Sequence, residues 1–125
     1  MSLLAGLMGN ATEVDIAEVE QEISPLTIEG EKIEKAYKVI RDLFIFTNKR
    51  LILVDKQGMT GKKVEYHSIP YSDIGHFSTE TAGHFDADAE LKIWVRGHQV
   101  PIVKEFKKGS NLEAIQKTIA HYVLS

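Results

Sequence analysis

The chain has 125 residues, 43% of them hydrophobic and 26% charged, with a net charge of −3, which is the size and balance of one soluble-type domain with its own core. It contains no cysteine, excluding a disulfide framework, a thiolate metal site and a cysteine nucleophile. No apolar run nears the roughly 20 residues of a spanning helix, and residues 1–11 lack the basic lead of a secretory signal, so the expected location is the cytoplasm.

The charge is unevenly spread. Residues 1–31 carry seven acids and no Lys or Arg; the other 94 residues carry 15 Lys and Arg against 11 acids, a balance of +4. That is too weakly basic to argue for nucleic acid. It does favour attraction between the acidic segment and the body, within a chain or between chains.

In chain order, residues 1–24 read as a helical leader. Leu3, Leu4, Leu7 and Met8 gather on one helical face between Ser2 and Gly9. So short a helix is not stable alone in water and needs a surface to pack on. Thr12 is the expected N-cap of a second helix, with Glu13 and Asp15 in its first turn and Ile16, Val19 and Ile23 at helical spacing. Ser24-Pro25 is expected to stop it, because a residue before proline avoids the α region.

Residues 30–105 read as strands. The first spans Ile33 to Ile40. Arg41 to Val54 then reads as a hairpin, two apolar runs broken at Thr47-Asn48-Lys49. Leu43 and Ile45 alternate with Phe44 and Phe46 in the first run, and Leu51 and Leu53 with Ile52 and Val54 in the second, so both faces of each strand are apolar and must be covered. A Gly58/Gly61 loop leads to a strand over Lys63–Ile69. Pro70 is expected to open one helical turn. Further strands are expected at His76–Thr81, Glu90–Arg96 and Gln99–Val103, the last with a free edge at Pro101.

The final helix, 110–124, carries Leu112, Ile115, Ile119 and Tyr122 on one face, with Ser110 to Glu113 spaced as a capping box. About seven short sequential strands followed by an amphipathic helix predict a mainly β fold: a small bent barrel or sandwich with the helix plugging one end. The whole of 1–125 is expected to be one domain.

That architecture is similar to pleckstrin homology (PH). The strings Arg41–Gly58, Ile69-Pro70-Tyr71, Phe77–Asp86 and Glu90–Trp94 resemble the bacterial PH-like domain family, over roughly Leu26 to Leu124. The resemblance implies a PH-like fold, a tendency to ring-like or higher homo-oligomers, and no enzymatic activity. Phosphoinositide-binding PH domains use a long basic loop between their first two strands. Here that connection, Lys38 to Arg41, is tight, so such a site does not carry over.

Four sets of residues are chemical candidates. Lys49, Arg50, Lys62 and Lys63, with Lys56, lie at hairpin and loop ends and suggest an anion or membrane-surface patch, though Asp55 and Glu65 interleave with them. Glu80, His84, Asp86, Asp88 and Glu90 offer cation ligands, but their spacing is not that of an EF-hand, and a polar loop is the plainer reading. The five histidines, His67, His76, His84, His98 and His121, are scattered, and no Gly-x-Ser-x-Gly, phosphate-loop or His-Glu-x-x-His string is present. No catalytic residue, metal or cofactor is therefore expected. Trp94 falls on the polar face of its strand and is an interaction anchor unless the leader covers it.

The expected function is a non-catalytic binding or assembly module forming homo-oligomers, with Leu3, Leu4, Leu7, Met8 and Trp94 as contacts. The alternative is peripheral membrane or anionic-ligand binding through the basic loops.

Overall fold

A computed structural model describes residues 12–83, 88–108 and 110–125, with the side chains of Thr12 and Glu13 left out. The expected helix over Ser2–Met8, with Leu3, Leu4, Leu7 and Met8, lies outside the described residues, as do His84 and Asp86. The chain divides into two compact units, Glu13–Pro70 and Tyr71–Ser125.

In the first unit the strands are β1 (Thr12–Glu13), β2 (Ile33–Val39), β3 (Asp42–Thr47), β4 (Arg50–Gln57) and β5 (Lys63–Pro70), in that order across the sheet. Helix α1 spans Ile16–Ile23. The central hairpin is as the alternation predicts: Leu43–Thr47 and Leu51–Val54 are all buried. Its register places Leu43 opposite Val54 and Ile45 opposite Ile52. These four join Val19, Ile23, Ile33 and Ala36 in one apolar cluster, so α1 covers this face. On the other face Phe44, Phe46, Leu51 and Leu53 are buried, and Tyr37 meets Phe46 edge-on at 6.2 Å.

The acidic helix therefore docks on its own sheet. Tyr66 Oη donates to Glu22 Oε2 at 2.9 Å, and Lys56 Nζ lies 3.7 Å from Glu22 Oε1. Glu22 of the acidic segment thus meets Lys56 of the body within the chain.

Both ends of α1 differ from expectation. Thr12 is in β1, and Val14 N donates to Ala36 O, so the backbone is still extended there. Asp15 is the N-cap, its Oδ1 accepting from Ala17 N at 3.0 Å. At the other end Ser24 is in the α region despite Pro25. Its N–H completes a bond to Glu20 O, and the proline stops the ladder by lacking an N–H of its own.

β2 ends at Val39, one residue earlier than the apolar run, because Ile40 adopts φ 61° in the turn to β3. Val39 pairs with Asp42, which makes this connection as tight as expected. Pro70 closes β5 instead of opening a helix, and the helical turn follows at Tyr71–Asp73.

In the second unit β6 (Ile74–Thr81), β7 (Ala89–Val95) and β8 (Ile102–Phe106) form an antiparallel sheet in that order. β8 starts three residues later than the pattern suggests. Gly97, at φ 85°, and a bond from His98 N to Val95 O carry the chain through a turn first. Pro101 precedes β8, where its missing N–H costs no ladder bond. Its position thus makes no free edge within the strand.

Helix α2 spans Leu112–Val123 and buries Leu112, Ile115 and Ile119, as the spacing predicts. Tyr122 stacks on Tyr71 at 4.6 Å. The capping box does not form. Asn111 is the N-cap and makes no side-chain cap bond. Ser110 N already donates to Lys107 O, so the amide that Glu113 would reach is taken. Glu113 instead lies 3.4 Å from Lys117, one turn on.

Candidate interaction surfaces

The four basic residues expected to form one patch lie at two ends of β4. Lys49 and Arg50 are at its start, where Arg50 pairs with Pro70; Lys63 pairs with Gln57 at its end, next to Lys62. Seven strand steps separate Arg50 from Gln57, about 24 Å at the usual rise.

Arg50 points inward to a carboxylate. Its Nε donates to Glu31 Oε2 at 2.8 Å and its Nη2 to Glu31 Oε1 at 2.9 Å. Nη2 also reaches Leu26 O at 2.7 Å, and Nη1 reaches Ser68 Oγ at 3.0 Å. Thr47 Oγ1 donates to Glu31 Oε2 at 2.7 Å, and Ile28 N donates to Oε1 at 3.1 Å. The Glu31 side chain is 0% exposed. The Arg50 hydrogen bonds outweigh burial and, with those from Thr47 and Ile28, hold its pKa down at about 2. Asn48 completes the arrangement: its Oδ1 accepts from Lys32 N and its Nδ2 donates to Gly30 O. Thr47, Asn48 and Arg50 thus tie the 26–32 segment to the β3–β4 turn, and Arg50 is committed to holding the fold.

The opposite end of β4 is different in kind. Arg41 Nη1 donates to Gly58 O at 2.6 Å, joining the β2–β3 turn to the β4–β5 loop. Gly58 and Gly61 take positive φ, which lets the loop double back. Ile40 is 61% exposed and Met59 fully exposed at this end. Lys38, Arg41, Lys62 and Lys63 are exposed around them.

In the three-stranded sheet, Ala89, Leu91 and Ile93 form the buried face. The other face has three cross-strand rows. His76 stacks on Trp94 at 4.4 Å, so the half-buried Trp94 is partnered by an aromatic ring on its own sheet. Lys92 lies between Ser78 and Val103. Glu90 lies between Glu80 and Glu105, three like charges in one line. An open depression of about 400 Å³ is lined by these glutamates with Asp88, Phe106 and Lys107. Of the expected cation ligands, the described ones, Glu80, Asp88 and Glu90, come to this depression. Asp88 Oδ1 is taken by Lys108 N at 2.6 Å. Among the described residues no three His, Asp or Glu side chains are arranged to hold a metal ion.

β8 ends its sheet order and pairs with β7 alone among the described strands. Beside it Val100 is 79% and Val103 44% exposed. The other described histidines stand apart: His67 is exposed on β5, His98 is in the β7–β8 turn, and His121 meets the Tyr122 ring edge-on at 5.1 Å.

Sequence reasoning missed Glu31, Ile40 and Met59. Glu31 reads as one more acid of the leader, and nothing local marks its partner 19 residues on. Ile40 and Met59 did carry a signal: an apolar residue in a turn, where Asn, Asp or Gly is usual, and another between two loop glycines.

The family model for the bacterial PH domain matches residues 2–123. An uncharacterized protein of Bacillus subtilis (strain 168), YjqA, is 54% identical over 121 residues, covering 96% of this chain and 97% of its own length. The crystal structure of a pleckstrin homology domain from Shewanella amazonensis SB2B superposes with a TM-score of 0.85 at 59% identity, over 98% of both chains. That of a DUF1696 family protein with a pleckstrin-homology domain from Shewanella loihica PV-4 gives 0.77 at 59% identity, over 92% of this chain and 98% of its own. Two antiparallel sheets, a C-terminal helix and these likenesses agree, and the chain belongs to the bacterial PH domain family.

Proposed function

We propose that the chain is a non-catalytic PH-like binding and assembly module that self-associates into a homo-oligomer. The observation that carries this reading is the β8 margin. A strand that ends its sheet order among the described strands, with Val103 exposed on it and Val100 exposed just before it, has the make-up of an interface strand. The leucine stripe Leu3, Leu4, Leu7 and Met8 adds apolar surface from outside the described residues. The family model that matches is that of a bacterial PH domain, which supports a binding reading. Anion binding by Lys49, Arg50, Lys62 and Lys63 as one patch draws less support, since Arg50 is bonded to Glu31 and the four residues are divided between two ends of a strand.

Light scattering across micromolar concentrations tests the reading. The expected result is a mass that is a multiple of 14.0 kDa for the full chain, lowered by Val103→Lys. A 14.0 kDa particle throughout overturns it. A chain starting at Ala11 separates the contributions: assembly that survives this truncation belongs to the β8 margin, and assembly lost with it belongs to the leucine stripe.

A further inference from the structure

β6 is the margin of the three-stranded sheet opposite to β8, and among the described strands it pairs with β7 alone. Free strand edges in natural proteins are usually blunted by proline, lysine, a bulge or shortness. β5 shows two of these devices, with Lys63 at its start and Pro70 at its end. β6 has eight residues and contains no Pro, Lys or Arg. Its one register shift lies at its start, between Ile74 and His76; from His76 to Thr81 the pairing with β7 runs unbroken. The outer edge of that run offers backbone N–H and C=O groups to a further strand.

The side chains along β6 specify what fits beside it. His76, Ser78 and Glu80 are exposed and begin three rows across the sheet: His76–Trp94, Ser78–Lys92–Val103 and Glu80–Glu90–Glu105. A strand added next to β6 contributes one residue to each row. Beside Glu80 a Lys or Arg offsets the repulsion within the glutamate row, whereas an acid adds to it. Beside His76 an aromatic or aliphatic side chain extends the stack with Trp94, whose rings are 4.4 Å apart.

We propose that β6 takes an extended segment of a partner protein as a fourth, antiparallel strand, with a basic residue beside Glu80 and an aromatic or aliphatic residue beside His76. The backbone ladder supplies the attachment, and the two end rows fix its register and direction. A small cation would use the glutamates and leave the ladder and the His76 end empty. The inference goes beyond self-association at the β8 margin and does not depend on it, because β6 is the other margin of the sheet.

Titration of a fluorescein-labelled peptide, Arg-Val-Thr-Val-Phe capped at both ends, with the full chain tests it by anisotropy. The peptide should bind, and binding should slow amide hydrogen exchange in residues 76–81. Glu80→Lys should weaken binding about tenfold, because an attractive cross-strand pair becomes a repulsive one. The same variant should prefer a peptide with Glu in place of Arg, a reversal that a merely unfolded protein cannot give, and urea unfolding should show its fold intact. Of two peptides N-methylated on alternate amides, one should lose binding and the other keep it, since only one set faces β6. The proposal fails if the Arg peptide does not bind, or if a scrambled peptide binds as well. It fails if Glu80→Lys leaves the preference unchanged, or if neither methylated peptide loses binding. It also fails if the protected amides are those of β8, or if the peptide lowers the mass in solution, since the edge it fills is then a contact between copies.

Discussion

Glu31 and Arg50 form a two-pronged ion pair, Nε to Oε2 at 2.8 Å and Nη2 to Oε1 at 2.9 Å, with the carboxylate fully buried. Removing one partner of a buried pair leaves the other charge desolvated and uncompensated. Arg50→Ala should therefore cost about 3–5 kcal/mol of stability. Urea unfolding measures it; a loss within the ~0.5 kcal/mol typical of surface changes would mean that the pair does not hold the 26–32 segment.

The same pair makes stability depend on acid. The folded-state pKa of Glu31 is lowered from 4.5 to about 2, chiefly by the Arg50 hydrogen bonds. A lowered pKa stabilises the fold fully above the unfolded value and loses that contribution as pH falls through the folded one. Stability should thus drop between about pH 4.5 and 2, by on the order of 3 kcal/mol from this group. Glu31→Gln should be less stable at pH 7 and show a shallower acid limb. An unchanged acid limb would assign the loss to other carboxylates.

Ile40 is held in the left-handed region, where an L-residue with a Cβ is strained by roughly 1–2 kcal/mol. Glycine removes that strain and gives back part of it as unfolded-chain entropy. Ile40→Gly should raise stability by about 0.5–1 kcal/mol. If it lowers stability instead, the exposed side chain makes packing contacts that outweigh the strain.

Glu80, Glu90 and Glu105 are directly opposite one another across three strands. Like charges at such spacing repel. Glu90→Gln should stabilise the sheet by a few tenths of a kcal/mol, with the gain shrinking as salt rises. A salt-independent change would point to packing in place of repulsion.

The sequence by itself determined the elements whose cause is local. The continuous apolar runs Leu43–Phe46 and Leu51–Val54 put apolar residues on both faces of a hairpin, and strands so patterned are buried. The spacing of Leu112, Ile115 and Ile119 likewise selects one buried helical stripe. Tertiary structure decided whatever depended on a distant partner. Arg50 reads as a loop cation until the chain returns Glu31 beside it, and Lys49 and Lys62 read as neighbours until strand register sets them at opposite ends of β4. Ser110 and Glu113 have the spacing of a capping box, yet a backbone bond from Ser110 to Lys107 takes the amide they would share. The physical reason is the range of the forces: burial periodicity acts between residues a few positions apart, whereas ion pairs and competing backbone hydrogen bonds are settled only when the strands are in register.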